Sequence, residues 1–371
     1  GLGDVYKRQD LSFILSVLQG KKVKYKPSDW YSVLGFLEFH RINVYFYGKA
    51  LEIGIEIPER IAKVLFESSS EQKLLCQKKA EYLHMVSIAL ERAKINHAFL
   101  KGSILQCTYF QQLTNEYFSC RRYPQKIQIY KEGERNGNDI DILVSQKDLS
   151  NISEVLRALG FRQGRYDSKE RKFIGFSREE ILTRRMNRGE TAPYLLMTED
   201  PLLPFVEVDV NFSLHNLPGD KDVDGFLENT KIINGVRTLE QNKFFLHLLA
   251  HQYKEISLYD MWRRNKNQSL YKFLDIYLFL KNGLVSYGEL YGYCQKENIR
   301  QICCSTIADV VSIFESLKEK RALVEFLQDI HASTRSQEVI DYNSHKTFTV
   351  TEGIFKRYLY FEQRRFLRER K

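Results

Sequence analysis

The hydrophobic period of this chain changes twice, and those changes limit the folds open to it. Up to about residue 90, apolar residues recur every three or four positions, as in "DLSFILSVLQG", "SDWYSVLGFLEFHRI" and "EQKLLCQKKAEYLHMVSIALERAKI". That spacing puts an apolar stripe on helices, with Ser28 and Asp29 as N-cap candidates for the second segment. At "INHAFLKGSILQCTYF" a short apolar run ends in Gly102 and a new helix-like stretch follows, the pattern of strand, glycine turn and helix. "DIDILVS" and "PFVEVDVNFSL" alternate as strands do, and "QKDLSNISEVLRALGF" between them reads as a helix closed by Gly160. From Leu239 the helical period returns in "LEQNKFFLHLLAHQYKEI", "SLYKFLDIYLFLKNG", "SYGELYGYCQKENI" and "QICCSTIADVVSIFESL". The expected class is α+β, a mixed β-sheet with flanking helices over residues 95–235, between helical regions at 10–94 and 236–371. The terminal "QRRFLRERK" is expected as a solvated basic helix end.

Length and composition bound the rest. A chain of 371 residues, 43% hydrophobic and 28% charged, is long enough for two or three domains and too apolar for extensive disorder. No apolar run approaches the length of a membrane span and no secretory signal pattern opens the chain, so a cytoplasmic protein without membrane contact is expected. The opening "GLGDVYKRQ" starts with glycine in place of methionine and looks like translated adaptor sequence, so residues 1–9 are expected to be a non-native leader. The net charge of +9 favours anionic ligands, although the basic residues are spread along the chain. Cys76, Cys107, Cys120, Cys294, Cys303 and Cys304 form no CxxC pair, which leaves reduced structural thiols as the reading.

The chemistry concentrates in "GNDIDILVS". Alternate side chains of a strand share a face, so Asp139 and Asp141 point the same way. Two such carboxylates repel one another, and burial raises their pKa values unless a cation neutralises them. Mg²⁺ favours carboxylate oxygen and is commonly shared with substrate phosphates. "VEVDVNF" supplies Glu207 and Asp209 at the same strand spacing. Lys101, Gly102 and Ser103 stand where a strand ends, and there glycine admits a phosphate close to the backbone while amides and a hydroxyl donate to it. Each piece alone is weak, since a DxD on an exposed strand edge needs no ligand; their order along the chain gives them weight.

In that order the residues resemble the polymerase-β-like nucleotidyltransferase superfamily, whose pattern is a Gly-Ser turn, a D-x-D strand and a third acidic strand. More narrowly, "DWYSVLGFLEFHRINVYFY", "FLKGSILQCTY", "RNGNDIDILV", "LRALGF", "VDVNFSL" and "LLAHQYKEISLYDM" resemble, over roughly residues 28–280, the uncharacterised nucleotidyltransferase family of bacterial genomes. The resemblance implies a nucleotidyltransferase core in which Gly102 and Ser103 hold a nucleoside triphosphate and Asp139 and Asp141 ligate two Mg²⁺ ions, with Mn²⁺ as a substitute. Arg135 matches a frequent arginine of the family that reaches a phosphate. Aligning "DVNF" with the family's third acidic strand selects Asp209 as the third carboxylate, with Glu207 in reserve and Asn211 in a histidine's place. The gap of 37 positions from Gly102 to Asp139 is long for the family, which implies an insertion at about 113–134 beside the site. The family's helical domain commonly carries two neighbouring histidines, where this chain has His251 and Glu255.

The implied reaction moves a nucleoside monophosphate from an NTP, with ATP as the foremost donor, to a hydroxyl-type acceptor, releasing pyrophosphate. Asp209 would help deprotonate that acceptor, a small molecule or protein in preference to RNA. A non-catalytic nucleotide-binding or antitoxin-like module and an RNA-end nucleotidyltransferase stand as alternatives. His251 and Lys254 are candidate nucleotide contacts on the later helices, although Lys254 reads almost as well as a solvated lysine. His247 and His251 are four apart, but Leu248 stands where a zinc-protease helix needs glutamate, which disfavours metal there. Asp275 reads equally well as a ribose contact or a helix cap, His215 as a site or strand-end residue, and "YFSCRRYP" as a base-stacking surface or a packed hairpin.

Overall fold

A computed structural model describes residues 2–106, 109–111, 113, 126–135, 137, 139–214, 223–233, 235–330 and 338–370. His215, "YFSCRRYP" and the middle of the expected insertion lie outside the described residues. The chain divides into two compact units, one of Gly1–Ser69, Tyr109–Ile129 and Phe245–Lys371, the other of Ser70–Thr108 and Tyr130–Phe244.

The second unit is built on a mixed eight-stranded sheet. Its strands are β1 (His97–Phe99), β2 (Asp139–Val144), β3 (Arg162–Asp167), β4 (Lys172–Gly175), β5 (Tyr194–Met197), β6 (Phe205–Asn211), β7 (Lys231–Ile233) and β8 (Val236–Thr238). They lie in the order β4-β3-β5-β6-β2-β1-β8-β7. The two acid-bearing strands, β2 and β6, are therefore adjacent and central, and they pair in parallel. Antiparallel β1 lies beyond β2, and antiparallel β5 lies beyond β6. Their core side chains are apolar: Ala98, Phe99, Ile142, Val144, Val208 and Val210 are fully buried. Each buried aliphatic of this size contributes roughly 1.5–3 kcal/mol. That is the reservoir from which a polar face on the same strands is offset.

Among the helices that flank these strands, four lie between residues 59 and 188. Helix α1 (Glu59–Arg92) gives residues 70–92 to this unit, where Val86 and Leu90 are fully buried. Helix α2 (Gly102–Leu105) is a single turn, shorter than the helix the sequence suggested, because the chain becomes extended at Gln106. Helix α3 (Leu149–Ala158) buries Ile152 and Leu156 and ends at Gly160, whose φ of +91 favours glycine. Helix α4 (Arg178–Arg188) opens on a capping box between Ser177 and Glu180 and closes on Gly189 in the left-handed conformation. The hairpin of β3 and β4, helix α4 and strand β5 had no strong apolar period in the sequence.

The first unit is mainly helical. Asp29 caps the helix Trp30–Phe39 by accepting from the Tyr31 and Ser32 amides, and the helix Leu270–Lys281 is buried along nearly its whole length. Two short strands pair, Tyr109–Gln111 just before the expected insertion and Lys126–Gln128 within it. Toward the C-terminus, Glu338–Asp341, Lys346–Val350 and Leu367–Glu369 form a three-stranded sheet. The terminal basic run is a 3-10 turn at Gln363–Phe366, with Phe366 buried, followed by the strand Leu367–Glu369, which pairs with Lys346–Val350 where a helix end was expected. Among the described residues, no helix is long and apolar enough to cross a membrane.

Candidate functional site

Parallel pairing sets Asp139 opposite Glu207 and Asp141 opposite Asp209. Paired residues of neighbouring strands face the same side, so four carboxylates crowd one patch of the sheet. Asp139, Asp141 and Asp209 can each turn one oxygen to a common point, the three atoms lying within 4.8 Å of one another. This is the only such convergence of three or more His, Cys, Asp or Glu side chains among the described residues. Glu207 sits beside the trio without joining it.

The electrostatics match that crowding. Asp141 is 1% exposed; burial pushes its carboxyl up to about 6, with Lys101 opposing the shift and Asp139 adding to it. Burial, then Asp139, Asp141, Glu207 and Glu190, raise Asp209 well above the usual carboxylate range. Glu207 rises to about 7 through burial and the charges of Asp139 and Asp141. A face of like charges that resists ionisation calls for positive charge. Three hard oxygen donors at one point fit a divalent cation better than any soft-metal chemistry.

One cation is already built in. The Leu100 amide donates to the Asp141 carbonyl at 3.0 Å, which carries Lys101 to the edge of the acid patch. Its Nζ donates to Asp141 Oδ1 at 2.6 Å. Burial disfavours the ammonium, but Asp141 and Asp139 outweigh it and hold Lys101 protonated far above neutrality. The turn itself is strained: Lys101 has φ +49, a region L-residues seldom adopt. The Lys101 carbonyl accepts from the Ile104 and Leu105 amides, which shapes the turn around Gly102.

Gly102 is required by a close approach of two backbone segments. A Cβ there would lie 3.3 Å from Gly137 Cα and 3.8 Å from Arg135 Nη1. Buried Arg135 is thereby placed against the turn. Gln106 Nε2 donates to the Arg135 carbonyl at 2.7 Å, and Lys79 Nζ donates to the Gly137 carbonyl. Cys76 Sγ donates to Gln106 Oε1. The Ser103 hydroxyl is buried and has no hydrogen-bond partner among the described residues. A buried donor left in that state costs about 1–3 kcal/mol until something accepts from it.

Residues 128–309 match the family model described as uncharacterised nucleotidyltransferase. The matched stretch contains all three converging aspartates and ends before the three-stranded sheet; the Lys101–Gly102–Ser103 turn lies outside it. No curated protein and no solved structure matches the chain. The match supports a nucleotidyltransferase reading, and the acidic trio could hold the metal ion that such enzymes generally use.

The other candidates belong to the helical unit. His251 and Lys254 lie on the helix Gln241–Ser257, where His251 Nε2 is 3.4 Å from Glu255 Oε1 and Glu255 also pairs with Lys272. Glu255 is thus engaged where the resemblance would put a histidine. His247 is buried with its ring stacked on that of His251. Asp275 is buried in the middle of Leu270–Lys281 and so does not cap that helix. Sequence reasoning missed Lys79, Gln106, Gly137 and Glu190. Gly137 alone carried a signal, as a glycine directly before the D-x-D.

Proposed function

We propose that this protein is a metal-dependent nucleotidyltransferase of the polymerase-β-like kind, moving a nucleoside monophosphate from an NTP, ATP foremost, to a hydroxyl acceptor. The convergence of Asp139, Asp141 and Asp209 within 4.8 Å carries the reading. These three side chains would hold Mg²⁺, whose charge would offset the negative charge gathering on the phosphoryl oxygens. The acceptor oxygen forms a bond to the α-phosphorus, and the bond from that phosphorus to the β-phosphate oxygen breaks. Pyrophosphate leaves with the electron pair, and the hydroxyl proton passes to Asp209. Burial, then the charges of Asp139 and Asp141, raise this carboxyl above its usual range in the metal-free protein, which favours its taking up a proton.

The remaining roles follow from position. The unpartnered Ser103 hydroxyl and the close-packed Gly102 backbone support a phosphate subsite at the turn, with Arg135 behind it. Lys101 holds Asp141 in place and neutralises part of the acid face. Fixed charge and orientation of this kind supply most of the rate in phosphoryl chemistry.

The test is transfer of label from α-³²P-NTPs to a cell extract by wild type and by the double variant Asp139→Asn, Asp141→Asn. Labelled product is expected only with wild type, at equal thermal stability of the two proteins or better for the variant. Equal labelling by both would sink the mechanism. Calorimetry checks the metal: ATP is expected to bind more tightly with Mg²⁺ than with EDTA.

A further inference from the structure

We propose that the acceptor is anionic, bearing a phosphate near its reactive hydroxyl, and that Arg184 receives that phosphate on the β5 flank of the carboxylates. The inference rests on the nucleotidyl-transfer reading and names the substrate class for the same site.

The strand order separates two flanks. On one side of the β2–β6 pair lies β1, which leads into the Lys101–Gly102–Ser103 turn; on the other lies β5, preceded by α4. In-line displacement places the attacking and leaving oxygens on opposite sides of the transferred phosphorus. With the triphosphate at the glycine turn, the acceptor approaches from the β5 flank.

Arg184 is prepared for an anion on that flank. The end of α4 is tied to β6, since Phe212 N donates to Gly189 O and Thr191 N to Val210 O, both at 2.9 Å, and Glu190 bridges Asn211. The Arg184 guanidinium rests on the Phe176 ring, its Cζ 4.5 Å from the centroid. Exposed Glu180 lies one turn back on its own helix, and among the described residues Arg184 makes no ion pair with it. A half-buried fork of donors, held by an aromatic ring on a helix whose end is tied to the acid-bearing strand β6, is suited to a phosphate.

The surroundings extend the same sign of charge. Residues 162–188 hold nine Arg or Lys and four Asp or Glu, an excess of +5 within a chain whose net charge is +9. Arg165, Lys169, Arg171, Lys172, Arg178 and Arg185 are exposed. Arg162 is held on the Phe173 ring at 4.4 Å, the same device as Arg184 on Phe176. A positive surface leading to a site raises the encounter rate of anionic partners. A neutral acceptor would gain nothing from it.

The test measures binding, so that it does not depend on knowing the acceptor. Inorganic phosphate is titrated by calorimetry into the full chain saturated with MgCl₂ and a non-hydrolysable ATP analogue. Phosphate is expected to bind the loaded protein, Arg184→Gln to weaken that binding at least tenfold, and Arg184→Lys to weaken it less. The analogue's own affinity is expected to stay within twofold in both variants, with unchanged melting temperatures. Absence of phosphate binding, or equal binding by Arg184→Gln, overturns the inference. So does loss of analogue binding in Arg184→Gln, which would assign the arginine to the donor. Failure of the nucleotidyl-transfer reading shows separately, as a wild type that binds the analogue no better with Mg²⁺ than without; both readings then fall. Competition identifies the source of the phosphate: displacement by glycerol 3-phosphate marks a small ester, and salt-sensitive displacement by a single-stranded RNA oligonucleotide marks a nucleic-acid end.

Discussion

Glu207→Gln separates the carboxylate that crowds the site from those that converge in it. Burial and the charges of Asp139 and Asp141 push Glu207 from an ordinary 4.5 up to about 7. The folded protein therefore binds this proton more tightly than the unfolded chain does. Stability falls as pH rises from 4.5 to about 7 and stays lowered above that, while below 4.5 the residue carries no penalty. At 1.36 kcal/mol per pKa unit, the full effect is about 3 kcal/mol. Glutamine keeps the shape and removes the charge, so the variant is expected to gain up to about 3 kcal/mol at pH 8 and nothing at pH 4. At roughly 2–4 °C per kcal/mol, that is a rise of several degrees in melting temperature. The assay is thermal denaturation from pH 4 to 9, with EDTA and with MgCl₂. Stabilisation by MgCl₂ is expected to survive Glu207→Gln and to vanish in Asp209→Asn. A gain that does not change with pH would refute the electrostatic reasoning, and the reverse pattern with MgCl₂ would make Glu207 the third ligand.

Three further outcomes follow from the same structure. Lys101→Met leaves Asp141 buried without its 2.6 Å partner, so metal-free stability at pH 8 is expected to fall by about 3 kcal/mol; an unchanged urea midpoint would show that the pair is dispensable. Gly102→Ala places a methyl 3.3 Å from Gly137 Cα, which is expected to lower stability by about 1–2 kcal/mol and slow label transfer, and transfer at the wild-type rate would show that the loop yields freely. Burial holds His40 down at about 3, with Nδ1 accepting from the Leu270 amide at 3.3 Å. Because the unfolded chain takes up that proton first, stability is expected to fall between pH 6.5 and 3, a slope that His40→Gln should flatten in acid-denaturation curves.

What the sequence disclosed about this site depended on local pattern. "DIDILV" and "VEVDVNF" were legible as strands because acid and apolar residues alternate, which also fixed the shared face of each pair. Their register was not legible, because Asp141 and Asp209 are 68 positions apart and nothing local sets one strand against the other. The hairpin of β3 and β4 escaped because "RQGRYD" and "KFIG" alternate little, lying at the sheet's outer edge with mostly part-exposed side chains. Helix α4 is too polar to show an apolar stripe, and Arg184, which we propose receives the acceptor's phosphate, was hidden with it. Lys79 could not have been found, since a lysine on a long amphipathic helix reads as solvated until the Gly137 carbonyl appears beside it. The glycine of the turn was legible for a phosphate's sake, whereas in the structure it is also demanded by Gly137.

The acid face has one more consequence, because it couples folding to ligand. Asp141, Asp209 and Glu207 all resist ionisation in the folded protein, and among the described residues Asp141 alone of the three is ion-paired, with Lys101. At neutral pH the ligand-free protein therefore either carries repelling carboxylates or takes up protons. A divalent ion that binds the folded state alone relieves both and stabilises it by RT ln(1 + [L]/Kd), about 2.7 kcal/mol at a hundredfold excess over Kd. Binding must also release protons, in an amount that grows as pH falls toward the raised carboxyl values. Calorimetric titration with MgCl₂ in buffers of different ionisation enthalpy measures that release. More protons are expected to leave at pH 6 than at pH 8.5, and Asp139→Asn with Asp141→Asn should abolish the difference. Equal release at both pH values would mean that the carboxylates do not hold the ion, and the crowding of this face would then need another cause.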